Sequence, residues 1–278
     1  MSSPTPHTLH PIRPDLAEYW LERWDRQQEH YLPLRTERFE VIADVIASMV
    51  TTPDPLIVDL GVGPGSLSQH LLRRFETATV IGIDADPFLL ALSAAGVAPA
   101  HPSADGGSRL RLVDADLRDP SWYQTAGLER VPDAYVSTTA LHWLTADQLR
   151  SLIAQCGQEI APGGVFVDGD HIHLQDKESL FDALTIDLAR AESERRGVQA
   201  NEDWQQWWSA VEAEPSFAPL LDARRGRLAD RGGDPARLSD YLEALSASGF
   251  GDTGVVWQYG DDRVVAGVNH PGSRPQVS

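Results

Sequence analysis

The stretch Val58-Asp59-Leu60-Gly61-Val62-Gly63-Pro64-Gly65 completes a short apolar run, Leu56-Ile57-Val58, and leads into a helical stretch from Leu67 to Phe75. A strand that ends in a glycine turn and opens a helix is the entrance to a βαβ unit. Glycines let the backbone turn sharply and approach a ligand closely. The helix start beyond them offers free N–H groups and positive potential. The spacing is G-x-G-x-G, with Asp59 two residues before the first glycine. A nicotinamide dinucleotide fingerprint needs a third glycine or alanine three residues after the second. That position is Ser66, which disfavours a dehydrogenase. The other reading of the turn is a plain strand–helix connection with no ligand.

Outward from the turn, Thr79 to Ile83 is β-branched and apolar and ends at Asp84 in Ile81-Gly82-Ile83-Asp84-Ala85-Asp86-Pro87. Asp84 stands 19 residues beyond Gly65, the separation that sets an acid beside ribose hydroxyls. Arg109 to Val113 reads as a third strand, followed by Asp116, placed to accept from a purine amine. Either acid also reads as a helix cap or loop charge. Ala134 to Ser137 and Val165 to Val167 are a fourth and a fifth strand. Short apolar strands alternating with helical stretches point to a parallel sheet buried on both faces.

Before this unit, Leu16, Tyr19, Trp20 and Trp24 follow helical spacing, and Thr36 reads as the cap of a second helix. After it, residues 176–230 are mostly helical in composition, with Trp204, Trp207 and Trp208 together. Leu238 to Leu245 marks a further helix that Gly249 can end. Val255–Tyr259, a turn at Gly260-Asp261-Asp262, and Arg263–Val268 must pair antiparallel, because so short a turn allows nothing else.

The 278 residues carry 23 basic and 41 acidic side chains, a net charge of −18. That balance repels phosphate polymers and argues against nucleic acid. No apolar run reaches the roughly 20 residues of a membrane helix, and the N-terminus lacks a secretory core. The single Cys156 excludes an internal disulfide and a cysteine metal cluster and fits a reducing, cytoplasmic setting.

VDLGVGPG (58–65), IGIDADP (81–87), VDADLRDP (113–120), DAYVSTTALHWL (133–144) and APGGVFV (161–167) together resemble the class I S-adenosylmethionine-dependent methyltransferases, in the order and spacing of that family. The closest look is to its small-molecule branch, that of the trans-aconitate methyltransferases. The resemblance implies an α/β fold, a Rossmann-like seven-stranded mostly parallel sheet with a terminal antiparallel hairpin and a helical cap. It implies S-adenosylmethionine as cofactor. Asp59 and the backbone of Gly61, Gly63 and Gly65 would hold its amino acid end, Asp84 its ribose, Ala85 the adenine edge. Asp116 would meet the adenine amine, Leu117 would pack on the ring, and Thr138 would lie near the methionine part.

The open side of such a cofactor is expected beyond the fourth and fifth strands. His142 and Trp143 follow the fourth strand; His171 and His173 follow the fifth. His171 and His142 are the candidate catalytic residues, because histidine accepts a proton near neutral pH, although a structural role for each stands beside this. Trp20, Trp143, His173 and Tyr19 are candidate substrate contacts; the tryptophan stripes read equally as cap core. Arg35 could hold a substrate carboxylate or serve in a salt bridge. No metal is expected.

The division expected from the sequence has six parts. Residues 1–14 are a flexible tail, and 15–50 are N-terminal helices contributing to a cap. The cofactor-binding core spans 51–170, followed by a helical cap insertion over 171–250. The terminal hairpin occupies 251–270, and a second tail 271–278. The expected activity is methyl transfer to an O, N or C atom of a small molecule in specialised metabolism, by a monomer or homodimer with neither nucleic acid nor membrane as partner. The alternatives are a non-catalytic methyltransferase-like binding or regulatory protein, and an enzyme acting on a protein or carrier-bound substrate.

Overall fold

In the computed structural model, which describes residues 12–174, 179–228 and 235–269, the chain opens with α1 (Pro14–Tyr31) and α2 (Arg35–Met49). The alternating unit follows as β1 (Leu56–Leu60), α3 (Ser66–Arg74), β2 (Thr79–Asp84), α4 (Pro87–Gly96), β3 (Leu110–Asp114), α5 (Trp122–Ala126), β4 (Ala134–Thr138), α6 (Ala146–Gln158) and β5 (Val165–His171). Three helices come next, α7 (Leu180–Arg196), α8 (Trp204–Glu212) and α9 (Ala218–Arg227), then α10 (Leu238–Ala247), β6 (Asp252–Tyr259) and β7 (Asp262–Val268). The strands form one sheet in the order β3-β2-β1-β4-β5-β7-β6. β7 runs antiparallel to both its neighbours, and the other pairings are parallel. The expected α/β sheet with its terminal hairpin is therefore present. Strand order reverses between β1 and β4, so the carboxyl ends of these strands open a crevice.

α2 and α10 do not belong to the cap. Phe39, Ile42 and Ile46 of α2 pack with Ile57, Val136 and Val167 on one face of the sheet. Tyr241 and Leu245 of α10 join Leu149 and Ile153 of α6 over Val58 and Phe166 on the other. An apolar helical stripe looks alike whether it meets a sheet or another helix, which is why the sequence placed both in the cap. The helices that stand over the crevice are α1, α8 and α9. They share a separate core with α4, in which Trp20, Trp207, Phe217, Phe88 and Leu92 are buried. Each such side chain contributes roughly 1.5–3 kcal/mol on burial.

This cap is pinned to the sheet by charge. Asp86 caps α4 through the N–H groups of Phe88 and Leu89, and its Oδ2 accepts from Arg224 Nε of α9 at 2.7 Å. The Arg224 guanidinium also lies 3.8 Å over the Trp208 ring. Arg23 of α1 holds Glu202, just before α8, at 2.6 and 2.9 Å.

Two boundaries differ from the expectation. α2 begins at Arg35, behind Leu34, so Thr36 lies inside it and caps nothing. Ile12 is buried in the cap core and Pro14 starts α1, so the expected tail ends sooner. The remainder of that tail, residues 1–11, and residues 270–278 lie outside the described residues.

Candidate functional site

A cavity of about 480 Å³ opens where β1, β2, β4 and β5 end beneath the cap. Gly61, Gly63, Asp84, Ala85, Asp116 and Leu117 line one end of it. Asp84 is held from both sides: Oδ2 accepts from Gly63 N and Oδ1 from Asp86 N, each at 2.8 Å. These two bonds orient the carboxylate. At Gly63, with φ +53, a Cβ would meet only Leu89 at 4.0 Å, so this glycine keeps the backbone open toward the cavity.

Gly65 and Asp59 stand apart from the others. Gly65 caps α3 at φ +96, and a Cβ there would lie 2.6 Å from Ser93 Oγ of α4. Its glycine is demanded by helix packing, and it does not border the cavity. Asp59 is 1% exposed, beneath the loop rather than beside the cavity. Its Oδ2 accepts from Ser68 Oγ at 2.6 Å and its Oδ1 has no partner. Burial, with the charge of Asp84 added and the Ser68 bond opposing, pushes its pKa up to about 7. Asp116 does border the cavity, but Arg118, which the sequence reading passed over, grips it at 2.7–3.0 Å.

The other end is built on β4 and β5. Thr138, Thr139, His142, Trp143 and His171 line it. Asp170 is fully buried and accepts from the backbone N–H of His142 and of His171. Both its oxygens lie 2.9 Å from His142 Nδ1. His171 Nδ1 is 3.1 Å from Asp261 Oδ2, at the turn of the hairpin. Burial disfavours a charged His142 ring, but the charge and hydrogen bond of Asp170 outweigh it and the pKa rises above the ordinary value. His171 behaves alike, burial being overcome by its bond to Asp261. In both rings Nδ1 is occupied, which leaves Nε2 for a ligand.

Thr139 is the one non-glycine residue with positive φ, +54, among the described residues. Such strain, of order 1–3 kcal/mol, persists only where the surroundings impose it. Here Thr139 N donates to Gly169 O at 3.0 Å, and the fully buried Arg38 donates from Nη2 to Thr139 Oγ1 at 3.0 Å and from Nη1 to Asp262 Oδ1 at 2.9 Å.

Of the aromatic candidates, Trp143 borders the cavity and is 50% exposed. Trp20 does not: it is 3% exposed, wedged edge-on against Trp207 and Phe217. Tyr19 lies on the outer face, 52% exposed. His173 is also outside the lining, with Nδ1 buried and unpartnered. The cap contributes Trp24, Tyr31 and Trp204 instead. Arg35 lines the cavity and pairs with Asp25 at 2.9 Å. Among the described residues no three histidine, cysteine or acidic groups gather as a metal site.

The buried charges set a pH dependence. Burial and the nearby Asp170 charge push Asp168 up to about 7, so ionising it costs more in the folded state than in the unfolded chain. Native Asp59 and Asp168 therefore hold protons that the unfolded chain sheds above about pH 4. The raised histidines act in the same sense: their contribution is complete below the unfolded value of about 6.5 and fades as pH rises through the folded value. Asp170 and Asp261, depressed by their histidine partners despite burial, lose their contribution only at acid pH. Thermal unfolding should show a higher Tm near pH 5.5 than near pH 8, and Asp168→Asn should flatten that slope. A Tm rising over this window would contradict the assignment.

Residues 57–164 match the family model described as a methyltransferase domain. The matched span contains the glycine turn, Asp84, Asp116 and His142, and the sheet order places them around one crevice. This core is similar to the class I S-adenosylmethionine-dependent methyltransferases. A trans-aconitate 2-methyltransferase of Streptomyces avermitilis is 34% identical to this chain over 143 residues, 51% of this chain and 48% of that protein. That of Methylobacterium nodulans is 29% identical over 141 residues, 51% and 47% of the two chains. The chain thus matches about half the length of these relatives. Magnesium protoporphyrin IX methyltransferase of Synechocystis PCC 6803, solved with bound SAH, superposes with a TM-score of 0.53 over 91% of this chain and 95% of its own, at 14% identity. An O-methyltransferase family protein from Burkholderia thailandensis gives 0.51 over 92% and 71%, at 16%. At such identities the likeness is one of fold. No helix of the described residues is long and apolar enough to cross a membrane.

Proposed function

We propose that this chain transfers a methyl group from S-adenosylmethionine to a small molecule held beneath its cap. One observation carries the reading: the cavity joins the open Gly63 backbone and doubly anchored Asp84 at one end to two carboxylate-backed histidines at the other. The cofactor fits the first end. Gly61 and Gly63 offer backbone to its amino acid part, Asp84 accepts from the ribose hydroxyls, Ala85 and Leu117 border the adenine, and Thr138 lies toward the methionine part. Asp116, shared with Arg118, serves the adenine edge. Gly65 and Asp59 act one layer below, by setting the loop.

When bound, the cofactor supplies a methyl carbon on a cationic sulfur, with a leaving group that needs no help from the protein. The residues therefore work mainly by alignment. The cap walls exclude water, and the histidines supply the polar contacts that orient an acceptor. The cavity is roughly the size of drug-like ligand sites, which supports a small-molecule acceptor.

Calorimetry on the full chain tests this. Binding of S-adenosylmethionine and S-adenosylhomocysteine, with little response to NAD, is the expected result. Heat on adding NAD and none with either sulfur compound would overturn it.

A further inference from the structure

We infer that α7 pairs with α7 of a second copy of this chain, antiparallel about a two-fold axis, so that the protein is a homodimer.

α7 is turned the opposite way from a helix of a lone molecule. A surface helix ordinarily buries its apolar stripe and shows its polar face to water. Here Asp182, Thr185 and Ser193 are buried, while Leu180 is 90% exposed and Phe181, Leu184 and Leu188 are each about half exposed. The buried polar groups are satisfied where they lie. Asp182 Oδ1 accepts from Leu174 N at 3.2 Å, Thr185 Oγ1 donates to Asp182 O at 2.8 Å, and Ser193 Oγ donates to Ala189 O at 3.3 Å. The hairpin turn presses on the same side, where a Cβ on Gly260 would lie 2.5 Å from Thr185 O. The helix cannot roll to bury its leucines without breaking these contacts.

The outer face has the pattern of a helix that meets another helix. Phe181, Leu184, Leu188 and Ala191 are spaced by three, four and three residues, the seam of two packed helices. With Leu180 beside it, the stripe leaves roughly 450 Å² of apolar surface open on each copy. That is as large as the largest patch on a typical monomer and about half of what a stable interface takes from each partner.

Charge, composition and symmetry choose the occupant. The charges flanking the stripe are spent within the chain: Arg190 pairs with Asp187, Arg195 with Glu192, and Arg196 with Glu192 and Glu37. The rim offers no field of one sign to select a charged partner, and two copies can meet here although each carries −18. A helix that lies on a membrane shows a polar face rich in Lys and Arg, and α7 has no basic residue from Leu180 to Ala189. The stretches of sequence outside the described residues, 1–11, 175–178, 229–234 and 270–278, hold three large apolar side chains between them, Met1, Leu9 and Val277. Those are too few to cover the stripe. Leu180, Leu184 and Leu188 are evenly spaced, so a two-fold axis at Leu184 sets leucine against leucine from end to end. An isologous interface requires such a self-complementary patch.

Sedimentation of the full chain over the micromolar range gives the test. A dimer is expected, and it should tighten as salt is raised, because salt screens the repulsion between two copies of −18. Leu184→Glu sets like charges on the axis and should weaken the dimer by about a hundredfold or more. Its Tm and its affinity for S-adenosylhomocysteine should stay as in the parent, since the side chain replaced is half exposed. Leu184→Cys should give a disulfide-linked dimer on mild oxidation, whereas Glu76→Cys, at an exposed site off α7, should not; the native Cys156 is buried. A parent chain that sediments as a monomer throughout, a Leu184→Glu variant that stays dimeric, or cross-linking no faster in Leu184→Cys than in Glu76→Cys overturns the inference. A monomer whose Tm falls in Leu184→Glu, the mark of a stripe covered by the chain's own residues, overturns it too, as does a monomer that sediments with anionic vesicles. None of these results touches the methyltransferase reading, on which S-adenosylhomocysteine binding reports separately.

Discussion

Replacing Asp84 with alanine should weaken binding of S-adenosylhomocysteine by about 2–4 kcal/mol, roughly thirty- to a thousandfold. Two losses combine. The ribose would forfeit hydrogen bonds to an ionised acceptor, which are stronger than neutral ones. The loop would also forfeit its anchor, because Asp84 ties Gly63 N on one side and Asp86 N on the other at 2.8 Å each. Asp116→Ala should cost less, since that carboxylate is shared with Arg118. Calorimetry on the two variants gives the comparison, and an unchanged affinity in Asp84→Ala would remove it from the ribose assignment.

The second large effect is on stability. Arg38→Met should destabilise the fold by about 3–5 kcal/mol, the cost of leaving a buried charge without its partner, and lower Tm by roughly ten degrees. Methionine keeps the stem that packs on Gly169, where even a Cβ would lie 2.6 Å from Arg38 Cδ. What disappears is the cation facing Asp262, Asp170 and Asp168, along with the hydrogen bond that holds Thr139 in its left-handed conformation. The loss should shrink toward pH 5, where Asp262 and Asp168, both raised by burial, hold protons more readily, while Asp170 stays ionised. Denaturant unfolding at two pH values measures it; a variant as stable as the parent would show that the buried acids are neutral already.

Much of the cofactor end is legible in the chain because it is local. A strand, a glycine turn, a helix and an acid at the end of the next strand all sit within thirty residues, and each leaves its own mark. The limits of such reading show at Gly65. In the sequence it is one more glycine of the loop, yet it is required by Ser93 on the neighbouring helix, a contact no local pattern carries. Trp20 and Trp24 fail for a related cause. They lie one turn apart on the same stripe of α1, so periodicity puts both on the inner face and cannot say which is wedged against Phe217 and which reaches the cavity. The histidines were visible; their partners were not. His142 meets Asp170, 28 residues away, only through the pairing of β4 with β5, and His171 meets Asp261 only through the register that sets it opposite Asp262 on β7.

That last register bears on how the protein comes into being. β5 is translated well before the hairpin that will flank it, with α7, α8, α9 and α10 in between. At roughly 5–20 residues per second, the growing chain presents Val165-Phe166-Val167 as an open sheet edge for several seconds. Apolar and unpaired, such an edge is a template for pairing with another chain. A chain cut short before the hairpin would leave its β5 edge bare. The hairpin strands thus cover the β5 edge and bring Asp261 to His171 in the same event.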